Sequence, residues 1–294
     1  MTQTYQRAGE LRTGGAADGN ELRMPQKLMI FVLSMALFGL ANVILEIIPD
    51  VHLGPVEVSV AYFVFVPLVM VALFNPFWAA LGAPLGEIIF TDLLMGDFSG
   101  LSEIEGFIQM FLALYVAGTL IRNPRNKAQI WLGAIMVVLI DKVLSALVDL
   151  SKVWIGVEDA EYVEGLPESI VLLEGLGLGV DIIISGIIFG AIPALWLIPA
   201  LHGKIEPLLG LKPRLPGEPV QGGAPRTGWF VVVAVLLSIA SGFFALLEAW
   251  DVNIGVFEPE FREQYGDSFL WVSVGALVVL LGVALAIAIR AKRK

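Results

Sequence analysis

Eight apolar segments dominate this chain and leave it little choice of solvent. They run roughly over 28–48, 58–74, 77–95, 106–121, 129–150, 169–200, 229–250 and 268–289. A bilayer core of about 30 Å takes about 20 helical residues to cross. In lipid every backbone N–H and C=O must find its partner within the chain, so such segments read as helices. A transmembrane barrel would show short alternating segments instead. The composition agrees, with 57% of the 294 residues hydrophobic and a mean hydropathy of +0.83. The expected fold class is an all-α polytopic membrane protein.

Asn75 and Pro76 alone separate the second and third segments, which implies a tight turn. The sixth is too long for one straight crossing. Its glycine-rich front, "SIVLLEGLGLGVD", reads as a half-helix, a re-entrant piece or a tilted start. Residues 1–27 are polar and lack the charged-then-apolar order of a cleaved signal, so they read as a flexible cytoplasmic tail. Segment 201–228 is rich in proline and glycine and reads as a cytoplasmic linker. It divides the chain into a six-span unit, 28–200, and a two-span C-terminal hairpin, 229–294, that ends in a basic tail.

Charge sets the orientation. With the N-terminus inside, the inner segments hold 15 of the 18 Lys and Arg residues, and the outer loops hold only Lys152 and Arg262. Basic residues are retained on the cytoplasmic side during insertion. Eight spans with both termini inside, in the cytoplasmic membrane, are therefore expected. The outer loops carry 15 of the 28 acids, which gives the outer mouth a potential that attracts cations.

Several function classes fall away. No cysteine is present, which excludes disulfide and thiolate chemistry, and His52 and His202 lie in different loops, which argues against zinc. A net charge of −10 makes nucleic acid a poor partner. The sequence contains no HExxH, GxSxG or Walker A motif. The expectation is a protein that is not an enzyme and holds neither cofactor nor metal. The pairs Asp92 with Asp97 and Glu103 with Glu105 could serve as general acid and base, but beside an acidic outer loop they read as solvated surface.

Eight acids lie in the spans or at their edges: Glu46, Glu87, Asp92, Asp141, Asp149, Glu174, Asp181 and Glu248. An ionisable group in hydrocarbon costs about 2.5–3.5 kcal/mol on insertion scales, so it faces the bundle interior or water. Glu46, Asp92, Asp149 and Glu248 are near outer ends, where solvation is the simple reading. Glu87, Asp141 and Asp181 lie deeper. Lys142 is adjacent to Asp141 and so on a different helix face; its expected partner is an acid on another helix, Asp181 or Glu87. These four residues form an intramembrane charge cluster, read either as structural pairing or as substrate or ion contact.

Small residues mark close helix packing. Gly82 and Gly86 lie one turn apart, Ala79 and Ala83 add a second row, and Gly186 and Gly190 repeat the spacing. Pro84 kinks the third span just before Glu87.

The run "VPLVMVALFNPFWAALGAPLGEIIFTDLLMGDFSGLSEIEGFIQMFLALYVAGTL", Val66 to Leu120, resembles the substrate-binding S components of energy-coupling factor (ECF) vitamin transporters. Members of that family place a proline-containing turn before a small-residue helix. A short outer loop and a helix opening near a glycine follow. The resemblance implies a six-helix bundle that captures a vitamin or related micronutrient near the outer surface. It also implies docking onto a transmembrane T subunit driven by two cytosolic ATPases. The small residues Ser34, Ala36, Gly39 and Ala41 of the first span are not that family's usual docking motif, and the two C-terminal spans depart from its pattern.

Carried onto this sequence, the pocket candidates are Asp92, Asp97, Glu105, Gln109, Asp149, Trp154, Glu174, Asp181 and Ser185. Their acidity implies a ligand with a positive amine or ring nitrogen. Two other classes stay open. One is a proton- or cation-coupled secondary transporter using Glu87, Asp141 and Asp181. The other is a non-catalytic membrane assembly protein that uses the glycine rows.

Overall fold

A computed structural model describes residues 22–46, 51–53, 56–58, 60–157, 170–223, 228–250, 252 and 254–292. In chain order they form α1 (Met24–Leu45), the short strands β1 (Val51–Leu53) and β2 (Val56–Val58), α2 (Phe65–Leu73) and α3 (Pro76–Glu87). A π-helical segment, Ile88–Leu93, continues α3. Then come α4 (Leu101–Leu120), α5 (Lys127–Ile155) and α6 (Ile170–Asp181), with a second π-helical segment, Ile182–Ala191, leading into α7 (Ile192–Leu201). The chain closes with α8 (Gly228–Ala249), the short α9 (Phe261–Tyr265) and α10 (Leu270–Lys292).

Among the described residues, five helical stretches are long and apolar enough to cross a membrane: Met24–Leu45, Leu101–Leu120, Lys127–Ile155, Ile170–Leu201 and Gly228–Ala249. A shorter apolar stretch occupies Leu270–Val283. These are the helices of a membrane protein. All seven tryptophans lie within a turn or two of a helix end. Trp78, Trp131, Trp196 and Trp229 mark the end where residues 203–223 lie, and Trp154, Trp250 and Trp271 mark the opposite end. Amphipathic rings favour the two faces of a bilayer, and tryptophans at both ends of the helices agree with membrane-type helices.

Several sequence expectations need correction. The second segment, 58–74, is not one helix. Only the nine residues of α2 are helical, and residues 60–63 before it form neither helix nor strand. The small antiparallel ribbon, with His52 opposite Glu57, qualifies the all-α expectation. The sixth segment is a single continuous helix, loosened by its ten-residue π stretch. In the first span the helix starts at Met24, inside the segment assigned to a tail; residues 1–21 of that tail lie outside the described residues. The last two long helices straddle the bundle instead of forming a hairpin. α8 lies on α4 and α5, whereas α10 lies on α1 and the Ile88–Leu93 segment.

The seam between α1 and α3 is the tightest in the molecule. A Cβ at Gly82 would collide with the Phe31 carbonyl, and one at Gly86 with the Met35 carbonyl. Ala79 and Ala83 are fully buried beside them, and the Ser34 hydroxyl donates to the Ala79 carbonyl at 2.7 Å. Lipid tails are as apolar as leucine, so close backbone packing supplies the association. Gly186 and Gly190 pack less closely on other helices: a Cβ at Gly186 would meet Val138 at 3.3 Å, and one at Gly190 would meet Val64 at 3.1 Å and the Ser185 carbonyl of its own π segment at 2.8 Å.

The described residues of the proline- and glycine-rich segment after α7, 202–223, fold onto the bundle. Gln26 Nε2 donates to the Gly210 carbonyl at 2.8 Å, and Ile205, Leu209 and Leu211 pack on the main core. Arg214 turns inward and donates to four helix-end carbonyls: Val71 (3.0 Å) and Phe74 (2.7 Å) of α2, and Gly118 (3.1 Å) and Ile121 (2.5 Å) of α4. The last carbonyls of a helix have no partner within it and carry its negative dipole end, which suits a planar five-donor cation. Burial pushes the Arg214 guanidinium down to about 10, with Glu206 opposing the shift, so it stays charged at neutral pH.

Two pairs of variants test this packing. Gly86→Ala should lower stability by about 1–3 kcal/mol through overpacking. Gly177→Ala, where an added Cβ meets nothing within 4 Å, should be neutral or stabilising through helix propensity. Arg214→Gln should lower the thermal midpoint in detergent more than Lys204→Gln on the exposed surface nearby. Each charged hydrogen bond contributes about 1.5–3 kcal/mol.

Candidate functional site

The break in the second span opens a polar cavity of about 260 Å³. Four parts of the chain line it: Ala61 and Tyr62 from the non-helical residues, Pro84, Glu87, Ile88 and Asp92 from α3 and its π segment, Glu103, Phe107, Gln109 and Met110 among others from α4, and Asp141, Lys142 and Ser145 from α5. Non-helical backbone at membrane depth is tolerated where protein buries it or where it lines a water-filled space. Here Ser185 Oγ accepts the Ala61 N–H at 3.1 Å, which holds the non-helical residues against the second π segment.

Both π segments start immediately after a carboxylate, Glu87 in one case and Asp181 in the other. The wider i→i+5 turn frees space beside a helix and recurs at functional sites. Pro84 adds to the first distortion, because it cannot donate to the preceding turn. As a result Glu87, Ile88 and Asp92 all reach one cavity.

The charged groups form two layers. In the inner layer, Tyr62 OH donates to Asp141 Oδ2 at 2.9 Å, and Lys142 Nζ lies 3.8 Å from Asp181 Oδ2 and 5.7 Å above the Tyr62 ring. Glu87 is within electrostatic reach of Asp141, Lys142 and Glu103. In the outer layer the Asp92 carboxylate abuts that of Glu103. Ser99 Oγ also donates to Glu103 Oε1 at 3.0 Å and is in contact with Ser102 Oγ. Asp92 Oδ2 is buried and meets no hydrogen-bond donor among the described residues. Facing carboxylates repel unless a proton or a cation lies between them.

The sequence-derived candidates divide accordingly. Asp92, Gln109, Glu87, Asp141 and Lys142 line the cavity, and Asp181 joins it through Lys142. Glu105 is buried and accepts from Gln109 Nε2 at 2.7 Å. Ser185 braces the wall from behind. Asp149 lies next to the cavity, 3.5 Å from the Ser145 hydroxyl and 3.6 Å from Lys152. Asp97 is exposed on the outer loop, Trp154 is 73% exposed, and Glu174 lies on α6 away from the lining. The solvated reading of Glu103 and Glu105 is corrected, since one lines the cavity and the other is buried.

Sequence reasoning missed Tyr62, Phe107, Met110 and Ser145. Nothing in "VAYFVF" signals that its tyrosine bonds an aspartate 79 residues later. Among the described residues no three His, Asp or Glu side chains converge on a metal position.

Segment 254–260 straps the loop between the first π segment and α4. Phe98 and Phe257 exchange backbone hydrogen bonds of 3.0 and 2.8 Å, and Glu260 N–H donates to the Gly96 carbonyl at 2.8 Å. Gly96 and Gly100 sit at φ +78° and +83°, and a Cβ at Gly100 would strike the Ile254 carbonyl at 2.5 Å. The strapped loop is the connection between Asp92 and Glu103, so the C-terminal part of the chain holds the cavity's outer rim.

The Lys142–Asp181 pair gives a sharp test. Asp181→Asn or Lys142→Met alone should lower the thermal midpoint, because each leaves a partly buried charge without its partner. The double variant Lys142→Met/Asp181→Leu should regain much of the loss. Additive losses in this cycle would mean the pair is not coupled.

The chain belongs to the DUF8171 family, a family of unknown function, whose model matches residues 29–294. The match takes in the bundle and both C-terminal helices as one unit. No curated protein matches the chain, and no solved structure matches it.

Proposed function

We propose that this protein captures a small, positively charged organic solute, of the vitamin or micronutrient class, for transport across the cytoplasmic membrane. In this reading eight segments span the bilayer with both termini inside. Residues 28–200 act as an ECF-type S component energised by a T subunit and two cytosolic ATPases. The observation that carries the reading is the cavity at the broken second span, where Glu87, Asp92, Glu103 and Asp141 face one lysine. Ionisable groups are costly in hydrocarbon and mark solute pathways. A concave site with a few convergent polar groups and the aromatic and apolar walls of Tyr62, Phe107 and Met110 suits a small ligand.

A second reading draws on the abutting Asp92 and Glu103 carboxylates. These two, with Glu87 and Asp141, would relay protons or a cation in a secondary transporter. An assembly role has less support, because Gly82 and Gly86 are buried against the chain's own α1.

Native mass spectrometry of the purified chain with its co-purified ligand tests the capture step. Glu87→Gln and Asp92→Asn should each weaken retention of a cationic ligand by about ten-fold or more, the scale of a lost charged hydrogen bond. Unchanged retention in both variants would remove the cavity as the site. Uptake that continues without any ATPase and collapses with the proton gradient would favour the second reading over the first.

A further inference from the structure

A second recess lies at the opposite end of the bundle, between the first turns of α1 and α3, the last turns of α4 and residues 221–222. Its volume is about 460 Å³. Phe77, Trp78 and Tyr115 form its apolar wall, and Lys27, Asn75 and Gln221 supply its polar edge. We propose that this recess holds an anionic phospholipid, with the phosphate at Lys27 and the upper acyl chain along the aromatic wall.

Charge, depth and wall chemistry argue for this occupant. Lys27 is half-buried, and its Nζ lies 5.9 Å over the Trp78 ring. No carboxylate pairs with it among the described residues. Arg23 follows the same helix face one turn earlier. A smaller recess of about 80 Å³ adjoins through Leu22, Asn75 and Gln221 and adds Lys212 and Arg214 together with one carboxylate, the exposed Glu218. Cations therefore outnumber the single carboxylate where the ligand's phosphate would lie. The recess is level with the Trp78, Trp131, Trp196 and Trp229 girdle, which is headgroup depth. Basic pockets between spanning helices at this depth suit anionic headgroups. The wall is an aromatic ladder. Phe77 meets Trp78, Phe111 and Tyr115 edge-on at 5.4, 5.8 and 5.9 Å, and Tyr115 meets Phe230 of α8 at 5.6 Å. Such a surface suits an acyl chain better than a water-soluble anion. This site is separate from the solute cavity, and the proposal does not depend on the transport reading.

The full-length chain in detergent, titrated with phosphatidylglycerol or phosphatidylcholine and read by native mass spectrometry, tests it. Wild type should retain phosphatidylglycerol preferentially. Lys27→Gln should cut that retention about five-fold, the scale of one lysine at an anionic surface. Lys27→Arg should restore it, and Lys204→Gln, an exposed lysine at the same end, should leave it unchanged. Equal retention by wild type and Lys27→Gln would overturn the site, as would an equal loss in Lys204→Gln. Competition by glycerol phosphate as effective as that of the lipid would show a soluble-anion site and overturn the lipid assignment. A zero-length crosslink from Lys27 to an acid within residues 1–21 would show that the chain's own N-terminal segment fills the recess, with the same consequence.

Discussion

The contact between α1 and α3 is the one on which the other arrangements depend. Gly82 and Gly86 let the α3 backbone rest on the carbonyls of Phe31 and Met35. With only small side chains between them, the two helices are set by close backbone fit and the Ser34–Ala79 hydrogen bond, and hydrocarbon solvent offers no hydrophobic force to replace that fit. The outward half of α3 then carries its proline and π turn to a defined place, which is how Glu87 and Asp92 come to face the same space. A Cβ at Gly39 would meet Phe90 of that π segment at 2.6 Å, so α1 guides the distorted half as well as the regular one.

The cavity and the Arg214 staple act on the same two helices from opposite ends. The residues just before α2 and the first turns of α4 line the cavity, while the last carbonyls of both helices bind one guanidinium. A helix of nine residues has few internal bonds to hold it, and α2 depends on packing and on this staple for its position. Two strongly polar features in an apolar bundle are thus linked by short rigid elements. Each polar feature satisfies backbone or side-chain groups that lipid would leave without partners.

The C-terminal helices belong to this same construction. α8 covers α4 and joins the aromatic ladder through Phe230, α10 covers α1, and the segment between them binds the loop that connects Asp92 to Glu103. Ser34, Ala36, Gly39 and Ala41 lie on different sides of α1 and are all buried within the bundle, which α3 and α10 flank, so those small residues serve the chain's own packing. The family match running without a break from residue 29 to 294 fits a single structural unit.

Much of this was legible in the sequence, and the limits follow from range. Long apolar runs name membrane helices because backbone satisfaction in lipid is a local requirement. Gly82, Gly86 and Pro84 announce a close-packed, bent helix because their effect is built into their own backbone. Glu87, Asp141 and Lys142 stand out because charge in an apolar run is rare. Partnership, by contrast, is a property of distant residues. Only the tertiary structure brought Tyr62 to Asp141, turned Arg214 from a linker residue into a cap on two helices, and separated the last two helices to opposite sides of the bundle. It also showed that an apolar run can stop being helical at residues 60–63, where the Ser185 hydroxyl on another helix accepts the Ala61 N–H that the lost turn leaves free.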